Sequence, residues 1–512
     1  MSPDTIGGLI RAQAVLGDRP LLVTDCGQIT YGEAERRSRE IASVLLRSGV
    51  GRGSHVAMLY DNSVEFATCF LGITRIGAIA LPLSTLSTAT EIRGLLRGAD
   101  VEYILSANNY RGRDLREVLT AAIGAPVQGQ LLSPELPTLR KVWFGIKALL
   151  AGTNQSDDAL VAASEAQVCP ADTLVIVHTS GSTSAPKGVV HTHGQVIRNM
   201  RRQNTLRNYT GDDRLFSNSP FFWIGGLAYS FLATLIAGAR LICSGAEPKA
   251  TLDLLEEQQP TMCNGVASTV LTLAREPDFA ERDLSCLRRG NLYPIMPADV
   301  RPTNPELRCN LLGATETGSV SLYGAGDVDL PENKRGTFGT PVAGIDARVV
   351  DPATNADAGE GELWVRGPNV MQGYYGRERW QCFDGEGWFH TGDMMRVDAD
   401  GNFYFRGRSG DIIRTSGAQV SPREVEGAIS DITGGRLSLV IGVPDPERGQ
   451  VVTAVLVGDT AFDADELRTK LRQRLSPYKV PRRFISIEEN ELPTLSSGKV
   501  DLKKLVELVC DR

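Results

Sequence analysis

The segment from Val175 to Val190, VIVHTSGSTSAPKGVV, has the composition of a phosphate-binding loop. An apolar β run ends in a stretch of hydroxyl-bearing and small residues, which a Pro-Lys-Gly sequence closes. Small residues let backbone N–H groups approach phosphate oxygens, hydroxyls add donors, and Lys187 adds a positive charge. It is not a Walker A loop, because Lys187 follows Pro186 and Gly188 stands where a serine or threonine would bind magnesium. We predict a phosphate loop, although a Ser/Thr-rich surface loop has the same composition.

A second motif, NLLGATETG, covers Asn310 to Gly318. Apolar residues lead into Gly313, and a threonine hydroxyl and a carboxylate then stand side by side at Thr315 and Glu316. This pair could bind a phosphate oxygen and a magnesium ion respectively. On its own, the motif is equally typical of a strand-to-turn junction with an exposed glutamate.

Two more motifs follow towards the C-terminus. WFHTGD ends at Asp393, and Arg408 comes after the next strand pattern, so the two side chains could together hold vicinal hydroxyls. Taken singly, each is also typical of a turn in a surface hairpin. The last motif, LPTLSSGK, ends at Lys499, a lysine on a Ser-Gly loop that alone would be interpreted as a solvated surface charge.

In this order and spacing, the four motifs resemble the adenylate-forming superfamily of acyl-CoA synthetases, nonribosomal adenylation domains and luciferases. The segments ITYGEAERRSREIASVLLRSGV and RGTFGTPVAGIDARVVDP extend the resemblance over essentially the whole chain. The resemblance implies an enzyme that activates a carboxylic acid as its acyl-AMP with ATP and Mg²⁺, and that passes the acyl group to coenzyme A. Acceptance by a carrier-protein phosphopantetheine, a luciferase-like oxygenation and a non-catalytic nucleotide-binding protein are the alternatives.

The resemblance also implies roles for individual residues. Those expected to bind the nucleotide are Thr179, Ser180, Gly181, Ser182, Thr183, Asn310, Leu312, Gly313, Asp393 and Arg408. Asn310 matches the position that reads the adenine amino group, while Asp393 and Arg408 match the ribose-binding pair. Those expected to act on the reacting groups are Lys187 at the pyrophosphate-side phosphates, Thr315 at the α-phosphate, Glu316 at magnesium, and Lys499 between the attacking carboxylate and the α-phosphate.

The chain departs from the family pattern at several positions. Ser184 replaces a glycine of the phosphate loop, and Leu312 replaces the aromatic residue that stacks on adenine. A leucine still packs against the base but loses about 0.5–1.5 kcal/mol of aromatic stacking. Trp223 replaces a histidine near the carboxylate, and Gly410 stands at the hinge in place of an aspartate or lysine. The first two changes, at Ser184 and Leu312, affect nucleotide binding and are the reason for considering a non-catalytic nucleotide binder.

The identity of the acid is the least determined property. The candidate acyl-pocket residues are small or apolar and carry no charge: Trp223, Gly225, Gly226, Tyr229, Val266, Ser268 and Ala314. We therefore predict a hydrophobic acid rather than a free amino acid. Ordinary core packing would account for each of these residues equally well.

At 512 residues the chain is too long for one hydrophobic core. Alternating helix and strand patterns near the N-terminus predict parallel sheets covered by helices. The predicted fold is α/β, with a large N-terminal domain of helix-covered sheets at 1–409 and a small mobile α+β C-terminal domain at 410–512. The stretch 124–172 is weakly patterned and is interpreted as a surface excursion.

Composition excludes several function classes. A net charge of −7 gives no electrostatic footprint for nucleic acid or an anionic membrane. Apolar runs are far shorter than the ~20 residues of a membrane-spanning helix, and the N-terminus lacks a signal-peptide pattern. Nine cysteines without any CxxC favour a reducing cytoplasm and argue against disulfides or zinc. The expected partners are the acid, ATP and CoA; a homodimer is left open.

Overall fold

The structure is a computed structural model that describes residues 3–127, 131, 133–151, 157–179, 186–265, 270–324, 326–408, 413–420, 422–458, 462–493 and 500–510. The chain forms two compact units. The first comprises Met1–Thr85, Leu96–His178 and Gly188–Gly407, and the second comprises Leu86–Leu95, Thr179–Lys187 and Arg408–Arg512. In the part of the chain described, no helix has the length and apolar character needed to cross a membrane.

The helices follow in chain order. The α-helices are α1 (Ile6–Gln13), α2 (Tyr31–Arg47), α3 (Val64–Arg75), α4 (Ala89–Gly98), α5 (Leu115–Ile123), α6 (Ile146–Leu150), α7 (Asp158–Gln167), α8 (His193–Leu206), α9 (Ala233–Ala237), α10 (Pro248–Gln258), α11 (Pro422–Thr433), α12 (Ala464–Arg472) and α13 (Leu502–Cys510). A π-helix covers Gly225–Leu232 and runs directly into α9.

Strands of the first part of the chain are β1 (Pro20–Thr24), β2 (Gly27–Thr30), β3 (His55–Leu59), β4 (Ile79–Pro82), β5 (Tyr103–Ser106), β6 (Asn109–Tyr110), β7 (Arg113–Asp114), β8 (Lys141–Phe144), β9 (Thr173–Thr179), β10 (Lys187–Thr192), β11 (Arg214–Ser217), β12 (Arg240–Cys243), β13 (Met262–Asn264) and β14 (Arg289–Gly290). The later strands are β15 (Leu312–Ala314), β16 (Ser319–Tyr323), β17 (Thr340–Pro341), β18 (Asp346–Val350), β19 (Glu360–Arg366), β20 (Gly373–Tyr374), β21 (Phe389–Val397), β22 (Phe403–Arg408), β23 (Ile413–Thr415), β24 (Ala418–Val420), β25 (Ser438–Asp445), β26 (Gly449–Val457) and β27 (Arg483–Ile487).

Two largely parallel sheets form the main body of the first unit. One has the strand order β14-β13-β11-β12-β1-β2, and the other has the order β20-β10-β9-β4-β3-β5-β8. Helices α1, α2, α3, α8 and α9 bury their apolar faces in one core cluster that also takes in residues of both sheets. Two antiparallel sheets, β15-β16-β17 and β18-β19-β21-β22, complete the unit. The predicted α/β architecture is confirmed.

Local sequence signals explain several of these boundaries. Helix α2 begins after Thr30, whose hydroxyl accepts from the Glu33 N–H while the Glu33 carboxylate accepts from the Thr30 N–H. Such a reciprocal capping box satisfies two N–H groups that a helix start leaves without partners. Helix α3 begins after Ser63, which accepts from the Phe66 N–H. Both helices belong to the alternation of helices and strands predicted near the N-terminus.

The interpretation of 124–172 as a surface excursion is wrong. This stretch supplies β8, an edge strand with buried Trp143 and Phe144, as well as helices α6 and α7. Helix α7 also carries Glu165, 6% exposed, which pairs with the buried guanidinium of Arg75. Because this ion pair joins residues 90 positions apart, the local pattern around Glu165 gave no sign of it.

The second unit contains a smaller sheet with helices on both faces. Strands follow the order β24-β23-β26-β25, and β27 pairs in parallel with β26. Side chains on alternate positions of β25 and β26 share a core cluster with α11 and α12, while the intervening positions share another with α13. Such alternation is what a strand buried on both faces requires. The predicted α+β character of the C-terminal region is confirmed.

Candidate active site

The predicted phosphate loop joins two strands that are neighbours in the seven-stranded sheet. Strand β9 is buried along most of its length and ends at Thr179, and β10 begins at Lys187, which is half-buried. The hydroxyl of Thr179 is itself buried and has no hydrogen-bond partner among the described residues. The loop residues Ser180, Gly181, Ser182, Thr183 and Ser184 lie outside the part of the chain that the structure describes.

Thr315 and Glu316 form a tight turn between β15 and β16. The Thr315 carbonyl accepts a hydrogen bond from His191 Nε2 at 2.7 Å, and the Glu316 carbonyl accepts from the Met371 N–H at 2.7 Å. Asn199 Nδ2 donates to the Gly318 carbonyl at the end of the same turn, at 3.2 Å. Partners from β10, α8 and the segment before β20 therefore fix the backbone of the turn.

The Glu316 carboxylate is also held in place. Its Oε1 accepts a hydrogen bond from the Tyr374 hydroxyl on β20 at 2.9 Å. Burial and the neighbouring Glu316 charge raise the pKa of Tyr374, so its hydroxyl stays protonated and donates. Glu316 is half-buried rather than exposed, which a plain surface turn would not require. A single oriented carboxylate of this kind suits Mg²⁺, which usually takes one or two protein carboxylates together with phosphate oxygens.

His191 is a site residue that the sequence analysis missed. Its side chain is fully buried, and burial lowers its pKa, so the ring is neutral near neutral pH. Because the Thr315 carbonyl can only accept, His191 Nε2 must carry the hydrogen. The histidine thus anchors the turn through the backbone of Thr315. No local pattern marks it, since its partner lies 124 residues away.

The residues of β15 and its start that are expected near the adenine base differ in their exposure to solvent. Asn310, just before the strand, is exposed, whereas Leu312 is 6% exposed and belongs to the core cluster that also contains Val320 and Leu322. At Gly313 an added Cβ would lie 2.7 Å from the Ser319 carbonyl oxygen, so close approach of β15 and β16 requires glycine there. Ordinary packing therefore accounts for both Leu312 and Gly313.

Asp393 lies in an irregular stretch of β21. Glu362 pairs with Met394 and Trp364 with His390, so residues 391–393 lie opposite the single residue Leu363. Thr391 Oγ1 donates to the Leu363 carbonyl at 2.7 Å and accepts from the Asp393 N–H at 3.0 Å. Bulges of this kind re-aim side chains and are common beside active sites. Asp393 is 4% exposed, so the alternative of an exposed turn aspartate is excluded.

The remaining residues expected at the nucleotide are less fully described. Arg408 is the last residue of β22, which is the neighbour of β21 in the four-stranded sheet. Lys499 and Gly410 lie outside the described residues.

The residues expected at the acyl group gather on the π-helix. Trp223 lies two positions before Gly225, the first residue of the π-helix, and its ring packs edge-on against that of Phe222; Gly225, Gly226 and Tyr229 lie within the helix. π-helical turns are rare and occur frequently at functional sites. The helix packs against β16, the partner strand of β15, which ends with the predicted pocket residue Ala314. Val266 and Ser268 lie outside the described residues.

The two neighbouring glycines of the π-helix are not equivalent. A Cβ added at Gly225 would have nothing within 4 Å, whereas a Cβ at Gly226 would overlap the carbonyl oxygen of Pro220. The same carbonyl accepts the Trp223 N–H at 3.0 Å, so its position is fixed. Gly225 therefore borders open space, and Gly226 is a packing requirement.

Comparison with known proteins agrees with this geometry. Residues 10–375 match the family of AMP-binding enzymes, and residues 424–499 match the AMP-binding enzyme C-terminal domain. The chain belongs to the AMP-binding enzyme family. It is an adenylate-forming enzyme and an AMP-forming acid–thiol ligase.

Relatives of this AMP-binding enzyme cover nearly its whole length. It is similar to a feruloyl-CoA synthase of Amycolatopsis sp., at 30% identity over 92% of both chains. It also resembles a 3-hydroxybenzoate–CoA ligase of Aromatoleum sp. (strain CIB), at 28% identity over 96% of this chain and 94% of that one. Its fold is similar to that of the amide bond synthetase McbA from Marinactinospora thermotolerans, with a TM-score of 0.79, 24% identity, and 98% and 99% of the two chains covered.

Two more buried polar residues of the AMP-binding enzyme were missed from sequence. Gln195 on α8 donates to the carbonyls of Asn369 and Val370, at 3.0 and 2.7 Å, and so supports the segment that holds Glu316. Arg207, at the end of α8, donates to the Tyr229 carbonyl at 2.9 Å. Neither residue could be recognised from sequence, because a single polar residue on or beside a helix does not indicate which distant backbone group it will contact.

Proposed function

We propose that this enzyme activates an apolar carboxylic acid as its acyl-AMP and then transfers the acyl group to coenzyme A, releasing AMP and pyrophosphate. Membership of a family of acid–CoA ligases supports the reaction class. The observation that carries the proposal is the Thr315–Glu316 turn. Its carboxylate and its backbone are fixed by Tyr374, His191 and Met371. Fixing donors and charges before the reaction is the main way an enzyme stabilises developing charge.

Adenylation brings two anions together, because a carboxylate attacks the α-phosphate of ATP. In the proposed mechanism Lys187 contacts the pyrophosphate-side phosphates and the Thr315 hydroxyl holds the α-phosphate. Glu316 holds Mg²⁺, which neutralises phosphate charge when bound. The carboxylate oxygen forms a new bond to phosphorus as the bond to pyrophosphate breaks, leaving a mixed anhydride whose carbonyl a thiol can attack.

The nucleotide is held by residues outside the reacting groups. We assign Asp393 and Arg408 to the ribose hydroxyls and Asn310 to the adenine amino group. Thr179 and the loop 180–183 cradle the phosphates. The buried position of Asp393 on a bulge supports its part of this assignment.

The two half-reactions need different arrangements of the C-terminal region. We propose that the functional boundary lies between 409 and 410 and that Gly410 is the hinge, since glycine takes up a large backbone change at little steric cost. In the adenylating arrangement Lys499 bridges the attacking carboxylate and the α-phosphate. It is withdrawn before the thiol attacks.

The acid is bound by the π-helix region. Trp223, Gly225, Tyr229 and Ala314 supply apolar or small surfaces, which favours a hydrophobic body for the acid. Val266 and Ser268 are assigned to the same pocket, and Gly226 acts there through packing. All nine cysteines are free thiols, which supports a cytoplasmic location; a homodimer stays a prediction.

The first test is acid-dependent exchange of pyrophosphate into ATP, measured over a panel of aryl, alicyclic, terpenoid and branched-chain acids. We expect exchange with a subset of these acids and none without acid. No exchange with any acid would favour a non-catalytic nucleotide binder. The mass of the product formed with CoA, compared with that formed on a phosphopantetheinylated carrier protein, then identifies the acceptor.

The second test separates the half-reactions in Lys499→Ala. Loss of one preorganised donor costs about 100- to 1000-fold in rate, so acid-dependent pyrophosphate release should fall by at least that much. Conversion of supplied acyl-AMP and CoA to the thioester should be nearly unchanged. Lys503→Ala, an exposed lysine on α13, is the matched control and should affect neither step. Equal loss of both steps in Lys499→Ala would contradict the assignment.

A further inference from the structure

Arg207 is a buried cation beside the proposed acyl pocket. It caps the C-terminal end of α8 and is 9% exposed. Its Nη2 donates to the Tyr229 carbonyl at 2.9 Å and to Asn204 Oδ1 at 3.3 Å. Its Nε is buried and has no hydrogen-bond partner among the described residues. The guanidinium is thus attached to the π-helix but retains a donor for which the described protein offers no acceptor.

The charge of Arg207 is balanced by aromatic rings rather than by a carboxylate. Its guanidinium lies 4.0 Å from the ring centre of Tyr229 and 4.6 Å from that of Tyr209. Within the described ranges it forms no ion pair. The carboxylate of nearby Asp213 is occupied, since it accepts from Arg289 at 2.6 Å and from Thr261 Oγ1 at 2.9 Å. A buried arginine is usually paired with an acidic side chain. Arg207 is an exception, and its Nε–H would be satisfied by an acceptor from a ligand.

Two buried acceptor atoms in the same region also lack partners. Gln203 Oε1 and Asn264 Oδ1 have none among the residues that the structure describes. Gln203 precedes Arg207 by one helical turn and therefore shares its face of α8. Asn264 ends β13, and its Nδ2 lies 3.5 Å from the hydroxyl of Ser230, the neighbour of Tyr229 on the π-helix. These three atoms, Arg207 Nε, Gln203 Oε1 and Asn264 Oδ1, are called the unpaired set below.

The unpaired set adjoins two aromatic residues, Tyr229 and Tyr323, at the proposed pocket. Tyr229 and Tyr323 pack against the core cluster that contains Leu312, two residues before Ala314. Burial, together with the nearby phenol of Tyr229, raises the pKa of Tyr323, so this hydroxyl is protonated near neutral pH. A wholly apolar acid would seal the Arg207 Nε–H away from water without pairing it, which is unfavourable. An acid with an oxygen function at this end would pair with Arg207.

We propose that the enzyme selects an acid that carries a hydrogen-bond-accepting oxygen, a ketone or a second carboxylate, at the end remote from the activated carboxyl group. Arg207 is the residue that recognises this oxygen. The inference rests on the proposed function, because it takes the π-helix region to be the acyl pocket. The inference narrows the proposed substrate from any hydrophobic acid to an acid with an apolar skeleton and a polar group at the end remote from the activated carboxyl group.

The test compares acids of one skeleton, with the purified full-length chain. Suitable sets are octanoate, 7-oxo-octanoate and octanedioate, and the cyclohexylpropanoates with hydrogen, a ketone or a carboxylate at ring position 4. A site built to pair a polar group rejects the analogue that lacks it. We expect kcat/KM for pyrophosphate release to be about 100-fold higher with the ketone or the second carboxylate than with the parent acid. The two oxygenated arms distinguish a ketone from a carboxylate.

Variants then assign the preference to Arg207. Arg207→Met should bring the oxygenated and parent acids to within about 3-fold of each other, chiefly because the activity with the oxygenated acids falls. Arg207→Lys keeps the charge but loses Nε, and should give an intermediate ratio. Arg198→Met, an exposed arginine of α8 that pairs with Asp4, is the matched control and should leave the ratio unchanged.

Several outcomes would overturn the inference. One is a wild-type enzyme that uses parent and oxygenated acids equally well. Another is an Arg207→Met protein, folded by circular dichroism, that loses activity equally with all acids, because Arg207 would then serve only the fold. If no acid supports pyrophosphate release, the proposed function fails. Calorimetric titration with the same acids then decides the inference separately, since equal affinities for parent and oxygenated acids would refute it.

Discussion

The Thr315–Glu316 turn and the surroundings of the π-helix treat their buried polar groups in opposite ways. In the turn, the Thr315 carbonyl accepts from His191 and the Glu316 carbonyl accepts from the Met371 N–H. One carboxylate oxygen of Glu316 accepts from Tyr374. Around the π-helix, Arg207 Nε, Gln203 Oε1 and Asn264 Oδ1 have none within the described chain. These atoms of the turn are paired by the protein, whereas the three atoms around the π-helix are left for a ligand to pair.

This difference matches the two tasks of an acid-activating enzyme. The groups that align ATP are the same for every acid, so they can be fixed by the fold before any ligand binds. The groups that choose the acid must respond to the ligand itself. Thr179 Oγ1, at the foot of the phosphate loop, also lacks a partner, and it too is expected to touch a ligand. A buried atom without a partner is therefore a candidate for ligand contact only beside the expected site, since other buried atoms, such as His191 Nδ1, also lack one among the described residues.

Removing the charge of Glu316 tests the completed region most severely. Glu316→Gln keeps an oxygen that can accept from Tyr374, so the turn should stay folded, but the proposed magnesium ligand loses its charge. We expect acid-dependent pyrophosphate exchange to fall about 100- to 1000-fold. Glu332→Gln, at an exposed glutamate that pairs with half-buried Arg335, is the control and should leave the exchange rate unchanged. More than a tenth of wild-type exchange, with normal magnesium dependence, would contradict the assignment.

The two glycines of the π-helix separate packing from pocket lining. Gly226→Ala places a methyl group on the Pro220 carbonyl, which cannot move without losing the Trp223 N–H. Overpacking of this kind costs about 1–3 kcal/mol, and we expect a loss of about 2–3 kcal/mol in the free energy of unfolding. The measurement is urea denaturation followed by circular dichroism.

Gly225→Ala is the matched partner of that substitution. Its methyl group meets nothing within 4 Å, so the free energy of unfolding should change by less than about 0.5 kcal/mol. The ranking of acids in the exchange assay should shift towards smaller ones. Equal stability of the two variants would show that Gly226 is not a packing requirement.

The sequence was a good guide wherever the cause of structure is local. The capping box at Thr30 and Glu33 marks the start of α2, and the apolar run before Thr179 marks β9. The motif at Thr315 and Glu316 could be recognised because its residues are consecutive in the chain. Features that depend on neighbours in sequence were therefore predicted closely.

Features that depend on distant partners were not predicted. Tyr374 contacts Glu316 across 58 positions, and His191 contacts Thr315 across 124. The bulge at Asp393 arises from the pairing of β21 with β19, and the π-helix arises within a run of small and apolar residues that is typical of an α-helix. Arg207 was overlooked because a single arginine beyond a helix is ordinarily solvated.

Acid should destabilise the enzyme through buried histidines. His193 is fully buried and accepts the Ile6 N–H at Nδ1, at 3.3 Å. Burial, partly offset by Asp172, lowers its pKa from 6.5 to about 4. Below pH 6.5 the unfolded chain therefore binds a proton that the folded chain refuses. The contribution of neutral His193 to the free energy of unfolding is fully present above pH 6.5 and is lost as the pH falls towards 4.

The matched variant is His193→Asn, whose Oδ1 can still accept a hydrogen bond but does not titrate. Between pH 7.5 and 5, the wild type should lose about 2 kcal/mol more unfolding free energy than the variant, because one pH unit corresponds to about 1.4 kcal/mol per proton. Urea denaturation at a series of pH values measures the difference. Parallel pH profiles would mean that the pKa of His193 is the same in the folded enzyme as in the unfolded chain.

The smallest effect is expected at Tyr374, which positions Glu316 without supplying charge. Tyr374→Phe removes the 2.9 Å hydrogen bond to Oε1 and leaves the ring, which is 8% exposed, to pack as before. A hydrogen bond to a charged group contributes about 1.5–3 kcal/mol, but water can replace part of it, so we expect a loss of about 1 kcal/mol, or 3- to 10-fold, in pyrophosphate exchange. The diagnostic readout is the magnesium concentration for half-maximal rate, which should rise while KM for the acid stays constant. Such a split would show that Tyr374 acts through the metal ligand. A change in KM for the acid, with unaltered magnesium dependence, would instead mean that Tyr374 acts on acid binding and not through Glu316.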